Sequence, residues 1–291
     1  MANSFFVGCG YVGRKVARQE RRDGGIVSAL VRRKESAELL KREGILAISA
    51  NLDRSQLLPK LDLAGLVLYW FAPPPLHGTK DPRIATFLSS ISPKTLPSRI
   101  VLISTTGVYG DCDGAWINES QPLRPKTDRA RRRVHAEKVV DSWRRQTGIT
   151  TVILRVPGIY GPDRLPIARL KRHEPVLMPT QSPWSNRIHV EDLVRACMAA
   201  ARVSDPLSAY NVSDGNPSTM AEFFFEVAKL QNLPPPPMLD WKSVKKELSP
   251  KMLSYLNESK RIDNKKMREH LGVVPKFPDL TVGLQSNINC P

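Results

Sequence analysis

Gly8-Cys9-Gly10-Tyr11-Val12-Gly13 sets three glycines at a spacing that suits phosphate recognition by bare backbone. An apolar run, Ser4 to Val7, leads into them, and an amphipathic segment from Arg14 to about Arg22 follows. In a strand–turn–helix each glycine has its own duty. Gly8 permits the tight turn, Gly10 lets a pyrophosphate reach the backbone, and Gly13 lets the helix pack on the strand. The helix N-terminus adds N–H donors and a partial positive charge. Gly8, Gly10, Tyr11, Val12 and Gly13 are therefore expected to cradle a dinucleotide.

The second apolar run, 26–31, ends in Arg32-Arg33-Lys34, and the first acid after it is Glu35. A free ribose 2′-hydroxyl is usually held by Asp or Glu at that place. A carboxylate would repel a 2′-phosphate, whereas arginine pairs with it bidentately. One such contact contributes about 1.5–3 kcal/mol, roughly a tenfold to hundredfold preference. Arg32 and Arg33 point to NADP, the alternative being ordinary solvated charges. A further run, 66–72, stops at Pro73-Pro74-Pro75. Ala72 and Pro73 either wall the cofactor or only end the strand.

The sequence alternates strand-like runs with amphipathic segments, the pattern of an α/β doubly wound parallel sheet. Strands are expected at 4–7, 26–31, 45–49, 65–71, 99–104, 150–156 and 208–212. Helices are expected at 11–22, 34–43, 81–91, 127–147, 190–203, 219–231, 241–257 and 263–271. Thr219 to Glu222 has the form of a capping box. The expected organisation is an NADP-binding Rossmann domain over 1–160 and a smaller, mostly helical C-terminal substrate lobe over 161–291. The strand near 208–212 is expected to return to the main sheet.

With 41% apolar and 25% charged residues, the 291-residue chain has ordinary globular composition. No apolar stretch approaches the length of a membrane span. A leader is not expected ahead of a loop beginning at Gly8, and a cytoplasmic location follows as the simplest expectation. Cys9, Cys112, Cys197 and Cys290 are dispersed with no metal-ligand spacing, so no metal is expected. Asp111, Asp113 and Glu119 form no recognised metal pattern either. The net charge of +16 invites nucleic acid. Its even spread, with no aromatic-studded basic strand, argues against that partner. A small-molecule substrate is expected instead, and a monomer or homodimer.

Four further segments carry a family resemblance. Ser104-Thr105-Thr106-Gly107-Val108-Tyr109-Gly110 resembles the serine/threonine motif of extended short-chain dehydrogenases/reductases. Arg155 to Pro162 resembles their substrate-side strand and loop, with Pro157 against the cofactor. Asn186 to Leu193 resembles the start of a late helix, and Ala209-Tyr210-Asn211-Val212 the last core strand. The resemblance is to the NAD-dependent epimerase/dehydratase-like group, in an atypical branch. It implies the Rossmann fold, a nicotinamide cofactor and Thr105 as the hydroxyl that bonds the reacting oxygen.

The chain departs from that family where a Tyr-x-x-x-Lys pair is expected. Aligning on Glu137 puts Arg129 at the tyrosine position and Arg133 at the lysine position. The i, i+4, i+8 spacing keeps all three on one helical face. Arginine stays charged in proteins, so neither can serve as the general acid or base. Arg129 could stabilise an oxyanion or hold a ligand anion; Arg133 could replace the contact to the nicotinamide ribose. The run 131–133 also reads as a solvated charge run. Tyr109 is a conceivable replacement phenol or a structural residue, His135 is placed off the Arg129/Arg133 side, and His189 is a cap or a support for the substrate lobe.

Two readings result. One is an NADP(H)-dependent oxidoreductase, a reductase or epimerase acting on a small hydroxyl- or carbonyl-bearing substrate, sugar- or nucleotide-linked. The other is a non-catalytic NADP(H)-binding redox sensor or assembly partner.

Overall fold

The computed structural model describes residues 3–54, 56 and 58–286; Cys290 falls outside them. Its central element is a seven-stranded sheet: β1 (Ser4–Val7), β2 (Val27–Val31), β3 (Leu46–Ser49), β4 (Val67–Trp70), β5 (Arg99–Thr105), β6 (Thr150–Val156) and β7 (Ala209–Asn211). Their order is β7-β6-β5-β4-β1-β2-β3. The chain builds outward from β1 to β3, then crosses back to β4, so the strand order reverses beside β1. In such sheets that crevice, at the strand C-termini, receives ligands. The register is parallel, with Phe5 opposite Ser28 on one side and Leu68 on the other. Leu68 is in turn opposite Ile100.

Strand parity builds the core. Phe5, Val7, Leu68, Trp70, Ile100 and Leu102 turn to one face, where they join Ile84, Phe87, Ala136, Val140 and Trp143. Those partners come from helices α3 (Pro82–Ser89) and α4 (Asp128–Thr147), which follow α1 (Tyr11–Arg22) and α2 (Lys34–Arg42) along the chain. Phe6 and Tyr69 point to the other face and stack with ring centroids 4.5 Å apart. There Glu20, on α1 (Tyr11–Arg22), accepts from the Tyr69 hydroxyl and from Arg202 Nη2 at 2.8 Å. Both sheet faces are thus covered, which is why β1 and β4 are buried at every position.

The chain divides into two compact units that interleave along the sequence, where the sequence reading drew one boundary at 160. The first comprises 1–108, 128–155 and 194–210; the second comprises 109–127, 156–193 and 211–291. The second unit holds short paired strands, among them Trp116–Ile117 with Arg261–Ile262 and Gly158–Tyr160 with Arg187–His189. Its Met220–Leu230 helix starts on a full capping box. Thr219 Oγ1 accepts the Glu222 N–H at 3.1 Å, and Glu222 Oε2 accepts the Thr219 N–H at 2.6 Å.

One expected helix is corrected. The segment 241–257 forms two helices, Trp241–Glu247 and Pro250–Leu256. A proline disfavours helical backbone in the residue before it. Ser249 is extended instead and caps the second helix through the Met252 N–H at 3.3 Å. Among the described residues, no helix is long and apolar enough to cross a membrane.

Candidate functional site

The three loop glycines differ in what the protein itself asks of them. Gly8 has φ +86°, and a Cβ there would stand 2.6 Å from the Ala72 nitrogen. A Cβ on Gly13 would stand 2.9 Å from the Gly8 carbonyl oxygen. Both are required by packing. At Gly10 a Cβ would meet nothing within 4 Å. Gly10 is the N-cap of α1, which has no side-chain cap and no acid in its first turn. Open space therefore lies against bare backbone at a helix N-terminus, the arrangement that suits a phosphate. Between the glycines, burial pushes the Cys9 thiol up to about 12, the neighbouring Arg14 opposing it. Cys9 is a packing residue with no thiolate at neutral pH.

Adjacent strands bring the other expected cofactor residues to this crevice. The Gly8 N–H donates to Leu30 O and the Phe71 N–H to Val7 O, each at 2.9 Å. Gly8, Ala72 and the end of β2 therefore lie side by side. Arg32 and Arg33 follow β2 and are exposed. Neither side chain makes a hydrogen bond or ion pair within the described residues. Pro73 is exposed, and its carbonyl accepts from Arg83 Nη1 at 2.9 Å. Arg83 also clasps Asp53 through Nε at 2.7 Å and Nη2 at 2.8 Å. Arg83 chiefly, and Arg32 in lesser part, hold the Asp53 carboxyl below its ordinary range. The sequence reading did not single out Arg83 or Asp53, because their pairing spans 30 residues and follows no local period.

Helix α4 is anchored from beneath. Buried Glu137 accepts from the Ser104 hydroxyl and pairs with Arg155 Nη2 at 2.9 Å. One turn earlier, Arg133 donates from Nη1 to Ile103 O at 3.2 Å, two residues before Thr105. Desolvation draws its pKa down, while Asp81 and Glu137 oppose that shift. Asp81 is fully buried as the N-cap of α3, accepting from the Arg83 N–H at 3.1 Å. Burial raises its pKa against the opposing Arg133 charge. Asp81-Pro82 is a helix-start signal that could have been read from sequence.

The run 131–133 is not one solvated face. Arg131 is exposed on Asp128 at 2.7 Å, but Arg132 is buried and donates to Gly78 O. Arg129 lies half-buried in the first turn of α4. His135 accepts the Asp81 N–H on Nδ1 at 3.2 Å, a structural contact. Thr105 ends β5 half-buried, and its hydroxyl oxygen accepts the Gly107 N–H at 3.2 Å. That bond leaves the Thr105 O–H free to donate. In the second unit, Tyr109 is fully buried and donates to Asn211 Oδ1 at 2.7 Å. This fixes it as a structural phenol. Pro157 belongs to the second unit, directly after β6. His189 is buried, with Nδ1 accepting the Glu191 N–H at 3.3 Å, and so acts as a cap.

Residues 83–213 match the model of the NAD dependent epimerase/dehydratase family. A functionally unknown conserved protein from Silicibacter pomeroyi DSS superposes with a TM-score of 0.80, at 30% identity over 98% of each chain. A UDP-glucuronic acid 4-epimerase from Bacillus cereus, solved with UDP-glucuronic acid and NAD, superposes at 0.75 and shares the fold at 17% identity. That alignment covers 98% of this chain and 97% of the epimerase. Protein YeeZ of Escherichia coli K12 is 29% identical over 138 residues, 47% of this chain and 48% of YeeZ. The chain spans about half the length of the curated relatives it matches. The stretch 83–213 is thus similar to the NAD dependent epimerase/dehydratase family, and the whole chain shares the fold of the epimerase.

Proposed function

We propose that this protein binds NADP(H) in its first unit and acts there as a reductase or epimerase on a small hydroxyl- or carbonyl-bearing substrate. The substrate is taken to be sugar- or nucleotide-linked, as in the epimerase with which the fold is shared. The observation that carries the reading is Gly10. Its missing side chain is not demanded by any neighbour, whereas those of Gly8 and Gly13 are. A loop packed only for itself would have no use for that opening. A pyrophosphate has one.

The residues present fit the group. Gly8, Gly10, Tyr11, Val12 and Gly13 supply the cradle, and Ala72 and Pro73 border it. The unpaired Arg32 and Arg33 would meet a 2′-phosphate, which favours NADP over NAD. When bound, the nicotinamide would supply or accept the hydride. The chain's own part is to hold the substrate and the proton. Thr105 donates its free O–H to the reacting oxygen, Arg133 offers donors to the cofactor ribose, and Arg129 takes an anionic substrate group. Pro157 is assigned a place against the cofactor by resemblance alone. No residue is assigned as proton donor, since both helix positions carry arginine.

Thr105→Val tests the catalytic part. NADPH consumption with a responsive carbonyl compound is expected to fall at least about a hundredfold. NADPH affinity by calorimetry is expected to stay within about twofold. Tight NADPH binding without turnover across a broad carbonyl panel would instead support the non-catalytic reading. Absence of NADPH and NADH binding would overturn both.

A further inference from the structure

The second unit carries an aromatic and cationic platform that the cofactor reading leaves unused. The paired strands Trp116–Ile117 and Arg261–Ile262 set Arg261 directly opposite Trp116. The Arg261 guanidinium carbon stands 5.5 Å from the Trp116 ring centroid and 5.3 Å from that of Trp184. Both indoles are exposed, Trp116 by 53% and Trp184 by 38%. Two indoles sharing one cation make a flat, partly apolar surface beside a fixed positive charge.

The three residues are held by backbone. Arg261 N–H donates to Ala115 O, Lys260 N–H to Trp184 O, and the Trp184 N–H to Ser259 Oγ at 3.1 Å. Gly114, at φ +74°, makes room for Trp184, whose ring lies 3.2 Å from where a Cβ would stand. Its carbonyl takes Arg261 Nε at 2.7 Å. That bond fixes the guanidinium plane and leaves Nη1 and Nη2 without partners among the described residues. Two of the acids in these segments are occupied: Glu258 by Lys260 at 2.7 Å, and Asp111 by the Ser259 N–H at 2.8 Å and by Lys126 at 3.8 Å.

We propose that Trp116, Trp184 and Arg261 form a ligand site for an oxyanion borne on a flat ring. The two free guanidinium nitrogens take the oxyanion bidentately, and the indoles take the ring. A preorganised fork flanked by apolar walls binds more tightly than a solvated arginine. The site shares no residue with the proposed cofactor cradle, so the two stand or fall separately.

Calorimetric titration of the full chain tests it, with phenyl phosphate, benzoate, inorganic phosphate and phenol as probes. At least one ring-bearing oxyanion should bind saturably, about tenfold tighter than inorganic phosphate or phenol. Phenyl phosphate against benzoate separates a phosphate ligand from a carboxylate. Arg261→Gln should weaken that binding at least about tenfold, and Trp116→Leu or Trp184→Leu about threefold to tenfold. NADPH affinity should not move in any of the three. If a variant fails to fold, indole N–H resonances of the intact chain serve: Trp116 and Trp184 should shift on titration, and buried Trp70 and Trp143 should not. Equal binding of inorganic phosphate, no loss in Arg261→Gln, shifts confined to other tryptophans, or no saturation would each overturn the proposal.

Discussion

Glu137 and Arg155 face each other at 2.9 Å with side chains only 5% and 9% exposed, joining α4 to β6 inside the first unit. Ser104, on β5, adds its hydroxyl to the same carboxylate. A buried pair stabilises little against a well-packed apolar replacement, but losing one partner strands a charge. Glu137→Ala is expected to cost about 3–5 kcal/mol in denaturant unfolding. The double variant Glu137→Leu/Arg155→Met should recover a good part of that loss. A single variant within about 1 kcal/mol of the parent would contradict the assignment.

The glycines give a second expectation, in which stability and binding separate. Gly10→Ala should leave the melting temperature nearly unchanged and weaken NADPH at least about tenfold. Gly8→Ala should lower the melting temperature outright, since φ +86° and the Ala72 backbone both exclude a side chain. Equal NADPH affinity in Gly10→Ala and the parent would remove the main support for the cofactor reading.

Arg32 and Arg33 set the third. The charge reversal Arg32→Glu/Arg33→Glu should shift the NADP-to-NAD affinity ratio toward NAD by roughly tenfold to a hundredfold or more. Competitive titration of the two dinucleotides reads the ratio directly. An unchanged ratio would show these side chains to be solvated charges and nothing else.

These features differ in how far the sequence could carry them. The glycine loop, the strand runs and the capping box at Thr219 are local, governed by spacing within a few residues, and could be read as such. The environment of α4 is not local. Arg132 reaches Gly78 and Arg133 reaches Ile103, so a run of three arginines looks solvated until the packing partners are known. Arg83 and Asp53 escaped notice for the same reason. The break at Ser249-Pro250 is legible from the proline, which the expected helix at 241–257 leaves out of account.

Asp214, in the second unit, yields a pH dependence. Its Oδ2 is buried with no hydrogen-bond partner, and its Oδ1 accepts only the Asn216 N–H at 3.1 Å. Burial pushes its carboxyl up to about 7, against the Asn216 N–H and Arg187, with Asp279 and Asp192 adding to the rise. An acid whose folded pKa lies above its unfolded value of 3.8 favours folding while protonated. That contribution is complete below about pH 4 and is lost as pH rises to about 7, at up to about 1.4 kcal/mol per pH unit. Above about 7 it is flat. Denaturant titrations of Asp214→Asn against the parent should show this slope only in the parent. Parallel curves would refute the assignment.

The interleaving of the two units has a consequence for biosynthesis. Arg202, from the stretch 194–210, supplies the cation that neutralises buried Glu20 near the beginning of the chain. On the ribosome, the nucleotide-type sheet therefore cannot complete itself when its first six strands emerge. It must wait until residue 210 clears the exit tunnel, by which time the second unit's whole middle stretch, 156–193, has already been translated. A nascent chain arrested near residue 160 should stay protease-sensitive, and protection should arrive only after the segment bearing Arg202 and β7 is out.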